Sequence, residues 1–112
     1  MTLREKQSLF AMLVAQLLLE AHHRGYQVTF GEAYRSPEEA ARLAKLGKGI
    51  LASLHIQRLA IDLNLFKDGK YLTSTEAHRP LGEWWEALHE LCRWGGRFKD
   101  GNHYSLTHGG KA

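Results

Sequence analysis

Asp62 is out of place. It lies in the most apolar run of the chain, between Ile61 and Leu63, where aspartate is depleted and an unpartnered buried carboxylate is costly. Ala60 and Asn64 share its face of the alternating segment, so the surroundings are small and polar, as the floor of a site would be. A solvent-exposed strand face gives the same pattern. Seven histidines stand against one cysteine, Cys92. A bound metal would therefore be held through nitrogen and oxygen, and a disulfide framework or a CxxC zinc knuckle is excluded. A catalytic zinc takes three ligands from His, Asp and Glu and keeps a fourth position for water.

His55 precedes Asp62 by seven residues. In an extended chain the two would be roughly 23 Å apart, so they can share an ion only if the chain folds back within Ile56-Gln57-Arg58. Such a clip differs from the helical i, i+4 pair of HExxH enzymes. His103 opens a short apolar stretch after the polar loop Lys99-Asp100-Gly101-Asn102, and Asp100 precedes it by three. A carboxylate near a metal ligand, but not bound itself, is what a metallohydrolase uses to take a proton from the attacking water. A plain Asp-Gly turn is the structural alternative.

These residues need elements to hold them. Thr2 to His23 has the spacing of an amphipathic helix. Thr2 and Glu5 form a capping box, Phe10, Leu13, Leu17 and Ala21 form its stripe, and Gly25 ends it. Tyr26, Val28 and Phe30 alternate with Gln27 and Thr29 as in a strand. Ser36-Pro37-Glu38-Glu39 starts a second helix, with Ser36 as cap, Pro37 in the first turn and Glu39 closing a capping box; it ends near Gly47 and Gly49. Leu59 to Phe66 alternates as a strand, with Asp68-Gly69 a hairpin turn and Lys70 to Leu72 the return strand. Pro80 to Arg93 is predicted as a third helix with Leu81, Trp84, Leu88 and Leu91 on one face, stopped by Gly95-Gly96. His103 to Leu106 is the last strand, followed by a loose glycine-containing tail. The expected class is α+β: a small, mostly antiparallel sheet with helices packed on one side and the metal site in a cleft at the sheet.

The other candidates have plainer readings. His22 and His23 suit a helix C-terminus, and His78 and His89 fall on the surface of the third helix. His108 lies in the tail and at most touches the site. Trp84, Trp85 and Trp94 belong to the core or the site wall. Cys92 is a buried small hydrophobe one helical turn from Leu88. At 112 residues, 44% hydrophobic and 24% charged, the chain has the size and composition of one globular domain, with no room for a second. The charge of +3 tolerates an anionic partner without identifying one. Lys and Arg are interleaved with acids, which disfavours a nucleic-acid-binding domain. The longest apolar stretch, Phe10 to Leu19, is broken by Gln16 and falls short of the ~20 residues that span a bilayer. Glu5 and Glu20 flank it without a small-x-small cleavage site, which argues against a signal peptide.

Ser53-Leu54-His55 followed by Ala60-Ile61-Asp62-Leu63 resembles the SxHxxGxAxD motif of the zinc D-Ala-D-Ala carboxypeptidases. Their relatives include the VanY-type carboxypeptidases and the phage L-alanyl-D-glutamate endopeptidases used as endolysins. Trp94 to Tyr104 is similar to the later motif of the phage branch, and Ala33-Tyr34-Arg35-Ser36-Pro37-Glu38-Glu39 to the early one. The three occur in order and span about Tyr26 to His108. The resemblance implies His55, Asp62 and His103 as zinc ligands, Asp100 as the base and Arg35 as the contact to a substrate carboxylate. Ser53 would hydrogen-bond substrate or orient a ligand. One departure stands out: Arg58 occupies the position of the motif glycine, where a positive φ would be costly for arginine.

The activity implied is zinc-dependent cleavage of the peptidoglycan stem peptide by a monomer, without nucleic acid or membrane insertion. Lacking a signal peptide and a separate wall-binding domain, the enzyme would accumulate in the host cytoplasm and reach the wall after holin release. A D-Ala-D-Ala carboxypeptidase, or a wall-binding module that keeps the metal without cutting, are the alternatives.

Overall fold

The computed structural model describes residues 1–47 and 53–110. Helix α1 spans Leu3–His23, and its Thr2–Glu5 capping box is formed in both directions. It buries the stripe Phe10, Leu13, Leu17 and Ala21, and Gly25, at φ 89°, turns the chain back toward the sheet. Strand β1 is Gln27–Phe30. Helix α2, Pro37–Lys45, is capped by the Ser36 hydroxyl, which accepts from Glu39 N–H. The reciprocal half of the expected box is not formed, because the Glu39 carboxylate pairs with Arg42 instead. Of the two glycines expected to end this helix, Gly47 has a positive φ, and Gly49 lies outside the described residues.

Strand β2, Ala60–Lys67, is the axis of a five-stranded, wholly antiparallel sheet of order β1-β2-β5-β4, where β4 is Cys92–Trp94 and β5 is His103–Leu106. Strand β3, Lys70–Leu72, also pairs with β2. It shares one edge of β2 with β5, while β1 takes the other. Asp68 and Gly69, at φ 52° and 76°, make the turn with two positive φ values that suits the twist of a tight hairpin. The inward residues Leu63 and Leu65 are fully buried with Leu17, Trp85 and Tyr104. The helices lie on this side, giving the expected α+β class. The alternating segment forms β1 as expected, but Phe30, which pairs with Leu63, is 61% exposed beside an open groove it shares with Leu18 and Val28.

The third helix departs from expectation. Helix α3 is Thr75–Leu88, capped by Ser74, with Pro80 inside it. Pro80 was expected at the first turn, but it stands at the sixth helical position, where it costs one backbone hydrogen bond. The buried face is His78, Leu81, Gly82 and Trp85, so His78 is core rather than surface. Its Nδ1 lies 2.9 Å from the Tyr104 hydroxyl, which satisfies the buried ring. His89 follows the helix in extended conformation, and its Nδ1 accepts from Leu91 N–H. Cys92 is buried as expected, but on β4 rather than on a helix. Burial pushes its thiol up to about 12, as for an inert small hydrophobe. His108 reaches α1, with Nδ1 3.1 Å from Lys6 Nζ, and Thr107 N–H bonds Leu91 O, so the start of the tail is tied down.

Candidate metal centre

The register of β2 against β5 sets Asp62 directly opposite His103. Since Leu63 and Tyr104 point into the core, Asp62 and His103 project together from the other face. His55 arrives by the fold-back that its spacing demanded. Residues Leu54 to Leu59 form one tight turn in which Leu59 N–H bonds Leu54 O and Arg58 N–H bonds His55 O. This paired closure around a left-handed residue is a Schellman motif. The left-handed residue is Arg58, at φ 56°. Arginine thus adopts the conformation that suits glycine, at a cost of about 1–2 kcal/mol. Its guanidinium sits 4.1 Å over the Tyr34 ring rather than entering the site, a cation–π contact that offsets part of that cost.

The three side chains converge. His55 Nε2 is 3.3 Å and His103 Nδ1 3.4 Å from the same oxygen, Asp62 Oδ1. One ligand atom from each residue lies within 4.8 Å of the others. Neither imidazole contact is angled as a hydrogen bond, and Asp62 Oδ1 is left buried without a partner. Donors in a tetrahedral zinc shell at ~2.0–2.1 Å stand about 3.3–3.4 Å apart, and the two nitrogen–carboxylate separations match that spacing. The His55–Asp62–His103 group can hold a metal ion. Burial raises the Asp62 carboxyl, but the contacts with His103 and His55 outweigh it and hold the pKa at about 2, so the carboxylate is ionised across the physiological range.

Asp100 stands at the edge of this group, with Oδ2 4.0 Å from His103 Nδ1 and a side chain 59% exposed. Partial burial raises its carboxyl, the Asp62 charge adds to that, and His103 and His55 oppose it. It is both a turn residue and a neighbour of the ligands: Asp100 O accepts from His103 N–H, and Asp100 N–H donates to Gly95 O. The 3₁₀ turn Gly95–Phe98 that follows β4 makes this loop possible. A Cβ on Gly95 would come to 2.3 Å from Asp100 O and 2.7 Å from His103 Cβ. Trp94 Nε1 donates to Gly101 O, and its indole fills the space a Cβ on Gly82 or Gly96 would need.

Arg35 and Ser53 both contact the His55 main chain. Ser53 is buried, and its Oγ accepts from His55 N–H at 3.2 Å, a local bond that shapes the ligand's turn. Arg35 N–H donates to His55 O at 3.2 Å. Its guanidinium donates through Nε to Glu32 Oε1 at 2.9 Å, with Nη2 at 2.6 Å from the same oxygen. Glu32 is not among the residues that the sequence singles out. A carboxylate three residues before a cation was the available signal. A scan against protein-family models matched none, and a search of curated proteins returned no match.

Proposed function

We propose that the chain is a zinc peptidase cleaving the peptide stem of bacterial peptidoglycan, of the endolysin type that cuts between L-Ala and D-Glu. The observation that supports it is the convergence of His55, Asp62 and His103 on a point where no hydrogen bond joins them, with a carboxylate outside the trio but 4.0 Å from one member. His55, Asp62 and His103 would hold the zinc. When bound, that ion supplies Lewis acidity, bringing the pKa of water towards ~7 and stabilising charge on a carbonyl oxygen.

Asp100 accepts the proton of the attacking water and passes it to the leaving amine, a role its open position 4.0 Å from His103 suits. Arg35 receives a free carboxylate of the stem peptide. Glu32 holds the Nε and Nη2 edge, and Nη1 makes no hydrogen bond among the described residues. Ser53 shapes the His55 turn. The bond choice follows the similarity of Asp100-x-x-His103 to the phage branch. Action on the wall would then follow holin release from the host cytoplasm.

Zinc analysis of untagged protein, with mass spectrometry of digested peptidoglycan, tests the reading. One equivalent of zinc and products cut between L-Ala and D-Glu are expected. Free D-Ala as the only product would make the protein a carboxypeptidase, and a zinc-loaded protein that binds wall without products would make it a binding module.

A further inference from the structure

Glu32 is set in place by main chain. Gly31 N–H donates to Asp62 O and Asp62 N–H donates to Glu32 O, both at 2.8 Å. Gly31 and Glu32 therefore both oppose Asp62, a bulge just past the end of β1 that brings Glu32 beside Asp62 instead of opposite Ile61. A Cβ on Gly31 would approach Asp62 Cβ to 3.0 Å, so the small residue permits this close passage. Three residues later the Arg35–His55 main-chain bond ties the same segment to the other ligand. The segment that carries Glu32 is thus tied by main chain to Asp62 at one end and to His55 at the other.

Its side chain has two neighbours. Oε1 accepts from Arg35, and the same oxygen stands 3.7 Å from His55 Nδ1. That nitrogen is buried and has no hydrogen-bond partner, while Nε2 of the same ring faces Asp62. A neutral imidazole that gives its Nε2 lone pair to a metal carries its proton on Nδ1. Left unpaired in a buried ring, that N–H costs ~1–3 kcal/mol.

We propose that Glu32 is a positioning residue of the metal centre. Its Oε1, 3.7 Å from His55 Nδ1, closes onto the Nδ1–H when Nε2 takes a metal, fixes the tautomer that presents Nε2, and is itself aimed by Arg35. The inference rests on His55 being a metal ligand. It gives Arg35 a second duty, since the guanidinium that would receive substrate also holds the carboxylate that orients His55. Carboxylate partners of ligating histidines typically contribute 10–100-fold in metal affinity.

Zinc affinity, measured by competition with a chromophoric chelator, and the visible spectrum of the cobalt-substituted protein test this. Wild type, Glu32→Ala, Glu32→Gln and Arg35→Gln are compared, with Glu20→Gln as control because its carboxylate pairs with Arg24 at the end of α1. Glu32→Ala is expected to weaken zinc by ~10–100-fold and to alter the cobalt bands. Glu32→Gln, whose amide oxygen still accepts the hydrogen, should fall between it and wild type and serves should the alanine variant fail to fold. Arg35→Gln should weaken zinc less than Glu32→Ala, and the control not at all. Unchanged affinity and spectrum in a folded Glu32→Gln or Glu32→Ala, with wild type binding zinc, would overturn the role of Glu32 and leave the metal centre standing. Wild type that binds no zinc would overturn the centre itself.

Discussion

Asp100→Asn keeps the size of the side chain and the contacts of an Asx turn but cannot accept a proton at neutral pH. If Asp100 is the base, kcat should fall ~10²–10⁴-fold while zinc content and melting temperature stay at wild-type values. Activity retained by the variant would make Asp100 a turn residue only, and zinc lost with activity would make it a ligand. Of the three residues that converge, Asp62 was legible because it interrupts an apolar strand, whereas His103 was marked chiefly by the motif resemblance. His55 was legible only through the fold-back it required. Arg58 was a visible anomaly whose resolution was not, because the stacking on Tyr34 that accompanies the left-handed turn joins positions 24 residues apart, 58 − 34. Glu32 was missed for a related reason, since its importance lies in a main-chain bulge that no side-chain pattern encodes.

The elements that came out of the sequence correctly carry their determinants within a few residues: the Thr2–Glu5 box of α1, the Asp68-Gly69 turn, and the alternation of β2. Helix α3 and β4 did not, because tertiary pairing decided them. Pro80 drew the helix start toward itself, whereas Ser74 caps it. Cys92-Arg93-Trp94 is too short for its alternation to outweigh the helical spacing before it, and it becomes a strand by pairing with β5. The strand matters for the site, since it launches the turn in which Gly95 packs against the backbone of Asp100 and the Cβ of His103. Gly95→Ala should therefore displace both residues. Zinc affinity and activity should fall together in a protein whose circular dichroism still shows the fold, and an alanine variant with wild-type zinc affinity would show that the loop can shift without cost to the centre.

For the molecule as a whole, pH tests the interior beneath the sheet. Burial lowers the His78 pKa to about 4, against ~6.5 in the unfolded chain. The folded state keeps the ring neutral where the unfolded chain would protonate it. This contribution is fully present above pH ~6.5 and is lost as pH falls to about 4, amounting to about 3 kcal/mol. His78→Gln keeps a polar partner for the Tyr104 hydroxyl but does not titrate. Denaturant melts across this range should show a shallower loss of stability in the variant, with the other histidines cancelling in the comparison. Equal slopes would mean that His78 is charged or exposed in the folded protein.

The sheet order carries one more consequence, for the sequence of assembly. Strand β5 is the last in the chain, yet it lies between β2 and β4. Until it inserts, β4 has no place in the sheet and His103 is not opposite Asp62. A nascent chain would have exposed His55 and Asp62 long before, as a two-donor half-site. An ion held by all three residues would be captured only as the sheet closes, and would serve as a latch that shuts on a finished fold.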